Sequence, residues 1–336
     1  MGYDMKQIVS PLFTKRRQII LVTYGRSGSS LTTDIIAQNP DVFTYYEPLH
    51  NLAKTFTNQQ DEYRKLRDKY LHLTKIPEYN AKAVDILEQL LTCDYDRLPE
   101  EATQNHHMSW YSTVDMYKCL KTNTDEAGKE KCLSEGEASC LGKKIQFIKV
   151  IRLSVQSVGD LMKKYPCMKL IYLVRDPRGS YLSKQRAFNI ISSNTTYEAE
   201  RYCRRVSEDI EAAMQLKTTY PSRLYLTRYE NLAEQPSSAY QKLYSFLGLN
   251  FTKQIQEFVY NHTQAGKMDT NIYSTSKGNS SEVSYAWRQK IKFEDASIFD
   301  TQCREVYYRL GYLPVNREKD LRQLKKSLKF DKSYLS

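Results

Sequence analysis

The chain has 336 residues, with 50 Lys and Arg against 39 Asp and Glu, a formal charge of +11. That length suits one large α/β core, and no proline- or glycine-rich linker or low-complexity tract divides it into halves. The cationic excess favours an anionic partner such as a nucleotide, polyanionic glycan, nucleic acid or membrane surface, with a generally basic solvated surface as the alternative. A nucleic-acid arm is excluded because the basic residues are mostly interleaved with acids, as in DEYRKLRDK. No run approaches the roughly 20 apolar residues of a membrane-spanning helix, and the first residues lack the order of charge, apolar core and cleavage site of a signal peptide.

The first element is QIILVT (18–23), a continuous apolar run of the kind that suits a parallel strand buried on both faces. It opens into GRSGSSL, where Gly28 permits a turn, Ser27, Ser29 and Ser30 offer hydroxyls, and Arg26 adds a fixed cation. The following helix N-terminus has unpaired amides and partial positive charge, so the turn is an expected phosphate or sulfate site. It is not a Walker A loop, since the Gly-Lys-Ser/Thr ending is absent, and kinase or GTPase chemistry drops out. VFTYYEP (42–48) reads as a second strand leading to Glu47, and the next residue, Pro48, favours an extended backbone there. Glu47 is a candidate general base; the competing readings are an ion pair with Arg26 or a loop-end cap.

Residues 51–143 fit the strand and helix alternation least well. They read as a helical excursion followed by a hydrophilic cysteine-bearing loop. Cys119, Cys132 and Cys140 lack C-x2-C spacing, so a disulfide with a neighbour is expected in preference to zinc. Seven cysteines are many for a cytosolic enzyme, and the odd total leaves at least one outside any intrachain pair. IQFIKVI (145–151) is the next strand, flanked at its end by Lys149 and Arg152, which either orient a sulfonate or acidic acceptor or serve structure.

KLIYLV (169–174) then runs into RDPRGSYLS. Pro177 stands at a favoured helix start, and Arg175 at the strand tip and Ser183 two turns into the helix can converge on a second phosphate, with Arg178 in the first turn. Two such strand-to-helix turns in one sheet imply a ligand with two phosphate groups at the carboxyl ends of the strands. Residues 198–219 carry a helical stripe of Ala199, Tyr202, Cys203, Val206, Ile210, Ala213 and Met214, stopped by Tyr220 and Pro221. RLYLTR (223–228) is a further strand, followed by Tyr229 and Glu230, read as fixing local structure. Helices are expected over 237–248 and 293–310, closed by Gly248 and Gly311. Between them, AWRQK presents Trp287, either stacked near a purine or packed in the core, and Arg288, within reach of a phosphate. Asn194, Asn250, Asn261 and Asn279 head glycosylation sequons. No cluster of histidines and carboxylates at ligand spacing stands out, and no metal is expected.

With these landmarks in order, RSGSSL, NPDVFTYYEP, LVRDPRGSYLS, RYENLAEQP, AWRQKI and LGYLPV, the chain resembles the PAPS-dependent Golgi carbohydrate 6-O-sulfotransferases that act on galactose, N-acetylgalactosamine or N-acetylglucosamine. PAPS is 3′-phosphoadenylyl sulfate. The resemblance spans about 19–315 and is thin between 55 and 140. It implies an α/β, three-layer, P-loop-like sulfotransferase fold with a central parallel sheet and a helical, cysteine-bearing insertion at 56–143, all within a single domain over 1–336. Residues 18–55 would hold the 5′-phosphosulfate loop and base, and 144–315 the 3′-phosphate half. The implied PAPS contacts are Arg26, Ser27, Gly28, Ser29, Ser30, Leu31, Arg175, Arg178, Ser183, Trp287 and Arg288, with Glu47 and Arg26 catalytic. The implied acceptor is the 6-hydroxyl of a glycan or glycosaminoglycan sugar; another hydroxyl acceptor, tyrosine or a small molecule, or a non-catalytic nucleotide- or glycan-binding module, is the alternative. A Golgi-luminal glycoprotein is implied, normally on an N-terminal membrane anchor that this chain lacks, so a truncated type II membrane protein is expected. Gly278 stands where relatives often carry Arg, which leaves acceptor preference open.

Overall fold

The computed structural model describes residues 17–59, 73–188, 194–266, 274–276 and 278–331. Five strands, β1 (Arg17–Thr23), β2 (Val42–Tyr46), β3 (Ile145–Val150), β4 (Lys169–Val174) and β5 (Leu224–Arg228), form one sheet in the order β2-β3-β1-β4-β5. Every pairing is parallel, with Ile20 beside Ile148 and Leu170, and Tyr172 beside Leu226. From β1 the chain crosses to the edge strand β2, returns through β3, then passes β1 to β4 and on to β5. The connections leaving β1 and β4 therefore run to opposite sides, and the cleft between their carboxyl ends is the switch point at which α/β sheets bind ligands.

The expected burial on both faces is met. Ile20, Val22, Ile148 and Tyr172 pack into one apolar cluster with the helices Pro77–Thr92 and Thr195–Thr219, while Ile19, Leu21, Phe147 and Ile171 pack on the opposite face against Ser29–Ala37 and Pro236–Leu247. Successive residues of a strand point to opposite faces, so an unbroken apolar run is what a middle layer requires. Burying each Ile or Leu here contributes about 1.5–3 kcal/mol.

Two expectations need correction. The helix expected over 293–310 is two helices, Phe293–Gln302 and Arg304–Leu310, meeting at Cys303, whose disulfide to Cys203 ties this region to the long helix Thr195–Thr219. The cysteine-bearing segment is not a loop but a helical pair, Val114–Thr122 and Glu126–Leu141, the second capped by Asp125 accepting from Gly128 N at 2.8 Å. Cys119–Cys132 staples the two helices and Cys93–Cys140 ties the pair to the helix Pro77–Thr92. The pair buries little apolar surface of its own, which is why apolar periodicity does not reveal it. Cys167 is exposed and outside the three disulfides. Gly248 and Gly311 close their helices in the left-handed conformation, φ 68° and 72°, as expected.

Candidate active site

β1 ends in a tight turn in which both Arg26 and Gly28 have positive φ, 69° and 80°. The turn delivers the chain to the helix Ser29–Ala37, whose N-cap, Gly28, supplies no side-chain hydrogen bond to the first-turn amides. Those amides remain available to an anion. Ser27 is buried and its hydroxyl has no partner among the described residues, and Ser30 Oγ lies 2.6 Å from Tyr46 Oη at the end of β2. The Leu31 side chain belongs to the core, so only its backbone can serve the loop.

The second strand-to-helix turn meets the first. Arg175 Nη1 donates to Arg26 O at 2.9 Å, and Arg26 Nε donates to Ser183 Oγ at 3.2 Å. Arg175 and Ser183, eight residues apart, thus converge on Arg26, and the Arg175 guanidinium lies 4.8 Å from the centre of the Tyr229 ring. The other three residues assigned to the nucleotide lie in the interior. Arg178 is fully buried, forked onto Asp176 at 2.9 and 2.7 Å and bonded to Asp300 at 2.9 Å and Leu313 O at 3.0 Å. Trp287 is buried between Gly179 and Arg178, which covers the indole face at 5.0 Å. Arg288 donates to the carbonyls of Asp320, Leu321, Gln323 and Lys326, clamping the C-terminal segment. Glu230 is structural in the same way, accepting from Asp176 N at 3.1 Å and Tyr312 Oη at 2.7 Å.

Glu47 lies beside the first loop, just past β2. Its backbone is left-handed, φ 46°, not extended as Pro48 suggested. The reason is tertiary. Its N–H donates to Lys149 O at 2.9 Å, and its carbonyl accepts from His50 N at 3.2 Å and Asn105 Nδ2 at 2.8 Å, which fixes the peptide on both sides. The carboxylate pairs with Lys149 through one oxygen and with Arg152 Nη1 at 2.5 Å through the other, in place of the considered pair with Arg26. Burial alone would raise the carboxyl's pKa, but Lys149, Arg152 and His107 outweigh it and hold Glu47 well below the usual carboxylate range. Lys149 also lies 4.3 Å over the Tyr46 ring. Of the four non-glycine residues with positive φ among the described residues, Arg26, Glu47 and Tyr111 surround this site, the placement typical of functional strain.

Three of the five histidines gather at the same place. His107 Nδ1 is 3.8 Å from Glu47 Oε2, and the His50 and His107 rings are 4.6 Å apart. Burial pushes His107 down to about 3 and His50 to about 4, so both are neutral near pH 7. Glu47, His50 and His107 offer atoms within 4.8 Å of one another, a spacing that can hold a cation. Lys149 and Arg152 already occupy both carboxylate oxygens, and their charges oppose a metal there. The cluster corrects the expectation that no histidine–carboxylate group exists; it is assembled from β2 and the insertion, so linear spacing does not reveal it. Linear motifs assign no role to His107 or Trp110; their local signal is QNHHMSWY, paired histidines and a tryptophan in a polar stretch.

A model of the family described as "Sulfotransferase domain" matches residues 16–311. The chain belongs to this sulfotransferase family. Carbohydrate sulfotransferase 3 of Tetronarce californica is 26% identical over 88% of this chain and 73% of its own length. Carbohydrate sulfotransferase 4 of Mus musculus is 26% identical over 90% of this chain and 83% of its own. Among solved structures, a sulfotransferase domain from the curacin biosynthetic pathway aligns over 87% of this chain and 98% of its own with a TM-score of 0.48 and 15% identity. The protein is therefore an enzyme, a PAPS-dependent sulfotransferase related to the carbohydrate sulfotransferases. No helix among the described residues is long and apolar enough to cross a membrane.

Proposed function

We propose that this sulfotransferase moves the sulfuryl group of PAPS to a sugar hydroxyl, the 6-hydroxyl of a glycan or glycosaminoglycan residue, in the Golgi lumen. The observation that carries the reading is the junction of two anion-adapted turns, joined through Arg175 to Arg26 and Arg26 to Ser183, with a buried Glu47–Lys149–Arg152 cluster reached through Tyr46 and Ser30. The first-turn amides and Arg26 take the 5′-phosphosulfate, and Arg175 and Ser183 take the 3′-phosphate.

In the reaction the acceptor oxygen attacks sulfur, its proton passes to Glu47, and the S–O bond to the 5′-phosphate breaks with its electron pair leaving on phosphate as 3′,5′-ADP. A carboxylate held by two cations is a weak base. When Lys149 turns to the sulfonate or the departing phosphate oxygen, Glu47 loses one counter-charge and its proton affinity rises as negative charge grows beside Lys149. The two residues then act in sequence, the lysine stabilising the leaving group and the carboxylate accepting the proton. No metal is assigned a step.

The secretory placement is supported by three intrachain disulfides, which persist in oxidising compartments, and by the exposure of all four sequon asparagines, Asn194, Asn250, Asn261 and Asn279. The test is transfer of radiolabelled sulfate from PAPS to desulfated glycans, tyrosine peptides and phenols. Label on a glycan, at carbon 6 after degradation, is the expected result; label on peptides or phenols alone overturns the sugar assignment, and nucleotide binding without transfer anywhere supports a binding module.

A further inference from the structure

Single exposed apolar side chains are ordinary; Trp110 is distinguished by what holds it and what it adjoins. The residue is 45% exposed, yet His107 stacks on one face with ring centres 5.2 Å apart and planes at 21°, and Tyr46 packs against it edge-to-face with ring centres 4.9 Å apart. The backbone around it is fastened from both sides. Asn105 bonds to both Glu47 O and His107 N, Thr113 Oγ1 donates to Trp110 O at 3.0 Å and Met108 O at 2.7 Å, and Ser112 Oγ accepts from Thr44 N of β2 at 3.0 Å. Tyr111, next in the chain, donates to Asp34 on the helix that follows the first loop.

The indole is thus a rigid plate set against the candidate chemistry. Through His107 it adjoins Glu47, and through Tyr46 it adjoins Ser30 of the phosphosulfate loop and Lys149. A hexose has a polar rim of hydroxyls and faces made largely of C–H bonds, and an aromatic face is a matched partner for such a surface. A plate fixed before binding also loses no rotamer freedom when a ligand covers it.

We propose that Trp110 is the acceptor platform of this enzyme: a sugar ring stacks on the exposed part of the indole and thereby presents its hydroxyl between Glu47 and the sulfur-bearing loop. The inference rests on the carbohydrate reading above and adds to it a specificity-determining residue from the insertion. Trp110 touches substrate; Tyr46 and Asn105 are positioning residues, joining the plate to the loop and to Glu47.

The test uses the full chain with N-acetyllactosamine and desulfated chondroitin oligosaccharides as acceptors. Trp110→Ala should raise the acceptor KM by tenfold or more and leave the KM for PAPS within twofold, and Trp110→Phe should recover most of the loss. An unchanged acceptor KM in Trp110→Ala, or a rise confined to PAPS, overturns the proposal. Wild-type protein supplies an independent readout. The chain has two tryptophans, Trp110 exposed and Trp287 buried, so iodide quenching reports chiefly on Trp110. Saturating oligosaccharide with 3′,5′-ADP should protect it, and absent protection overturns the proposal even if Trp110→Ala fails to fold. Failure of the underlying reading differs in kind: wild type then transfers sulfate to neither oligosaccharide, and the proposal falls with it.

Discussion

Gly28→Ala tests the phosphate loop at its tightest point. Gly28 has φ 80° and ψ 6°, a conformation costing an L-residue with a side chain about 1–2 kcal/mol. A Cβ there would stand 2.2 Å from Tyr229 Cδ2 and 2.5 Å from Cε2, against about 3.5–4.0 Å for carbons in contact. The ring cannot simply rotate away, because Tyr229 is buried under the Arg175 guanidinium. Overpacking of this kind costs about 1–3 kcal/mol, so the substitution should destabilise by about 2–5 kcal/mol in all. Urea unfolding should show a lower midpoint at unchanged slope, and the rise in Tm on adding 3′,5′-ADP should be abolished. Tyr229→Ala removes the clash but not the backbone strain, so the double variant should be less destabilised than the sum of the singles by about 1–3 kcal/mol. A loss below about 1 kcal/mol with the nucleotide shift intact would show that the loop is not built around this contact.

Three further predictions follow from the same geometry. Arg175→Ala should weaken 3′,5′-ADP by about 10- to 150-fold, the effect of losing a charged hydrogen bond, with a smaller loss for 5′-AMP by calorimetry; equal losses would place the 3′-phosphate elsewhere. Chelation by EDTA should leave the transfer rate unchanged, since the charges assigned to the reaction belong to Lys149 and Arg26; a loss restored by added metal would bring the Glu47–His50–His107 cluster in as its site. Burial lowers His50 and His107 from 6.5 to about 4 and about 3, so the folded state binds fewer protons than the unfolded. Their stability contribution is complete above pH 6.5 and is lost as pH falls toward those folded values. Tm should therefore decline between pH 6.5 and 4 more steeply in wild type than in a His50→Gln/His107→Gln variant; parallel curves would refute the burial argument.

The sheet and both turns were legible because their signals are local. QIILVT and KLIYLV read as strands buried on two faces, and RSGSSL and RDPRGSYLS announce strand-to-helix turns from their small, cationic and proline residues alone. Arg178 and Arg288 read as phosphate ligands for the same reason, cations in an anion-binding context, yet their roles depend on distant partners: Asp300 and Leu313 for one, the carbonyls of 320–326 for the other. The left-handed Glu47 was hidden because Pro48 sets the local preference while Lys149 and Asn105 override it. His107 and Trp110 were hidden because the insertion has weak apolar periodicity, so nothing in the chain shows that it folds back on β2. Cys303 breaks a helical stripe that is continuous in sequence, at the residue tied to Cys203.

The central claim, that Glu47 takes the acceptor proton while the loop holds the donor, is tested most directly by Glu47→Gln, with sulfate transfer and 3′,5′-ADP affinity measured on the same preparation. The amide keeps the shape of the side chain and removes the proton acceptor, so kcat should fall by about 100-fold or more, with nucleotide affinity close to wild type. Near-full transfer by Glu47→Gln across pH would contradict the account and pass the role of base to His50 or His107, the neutral imidazoles beside it.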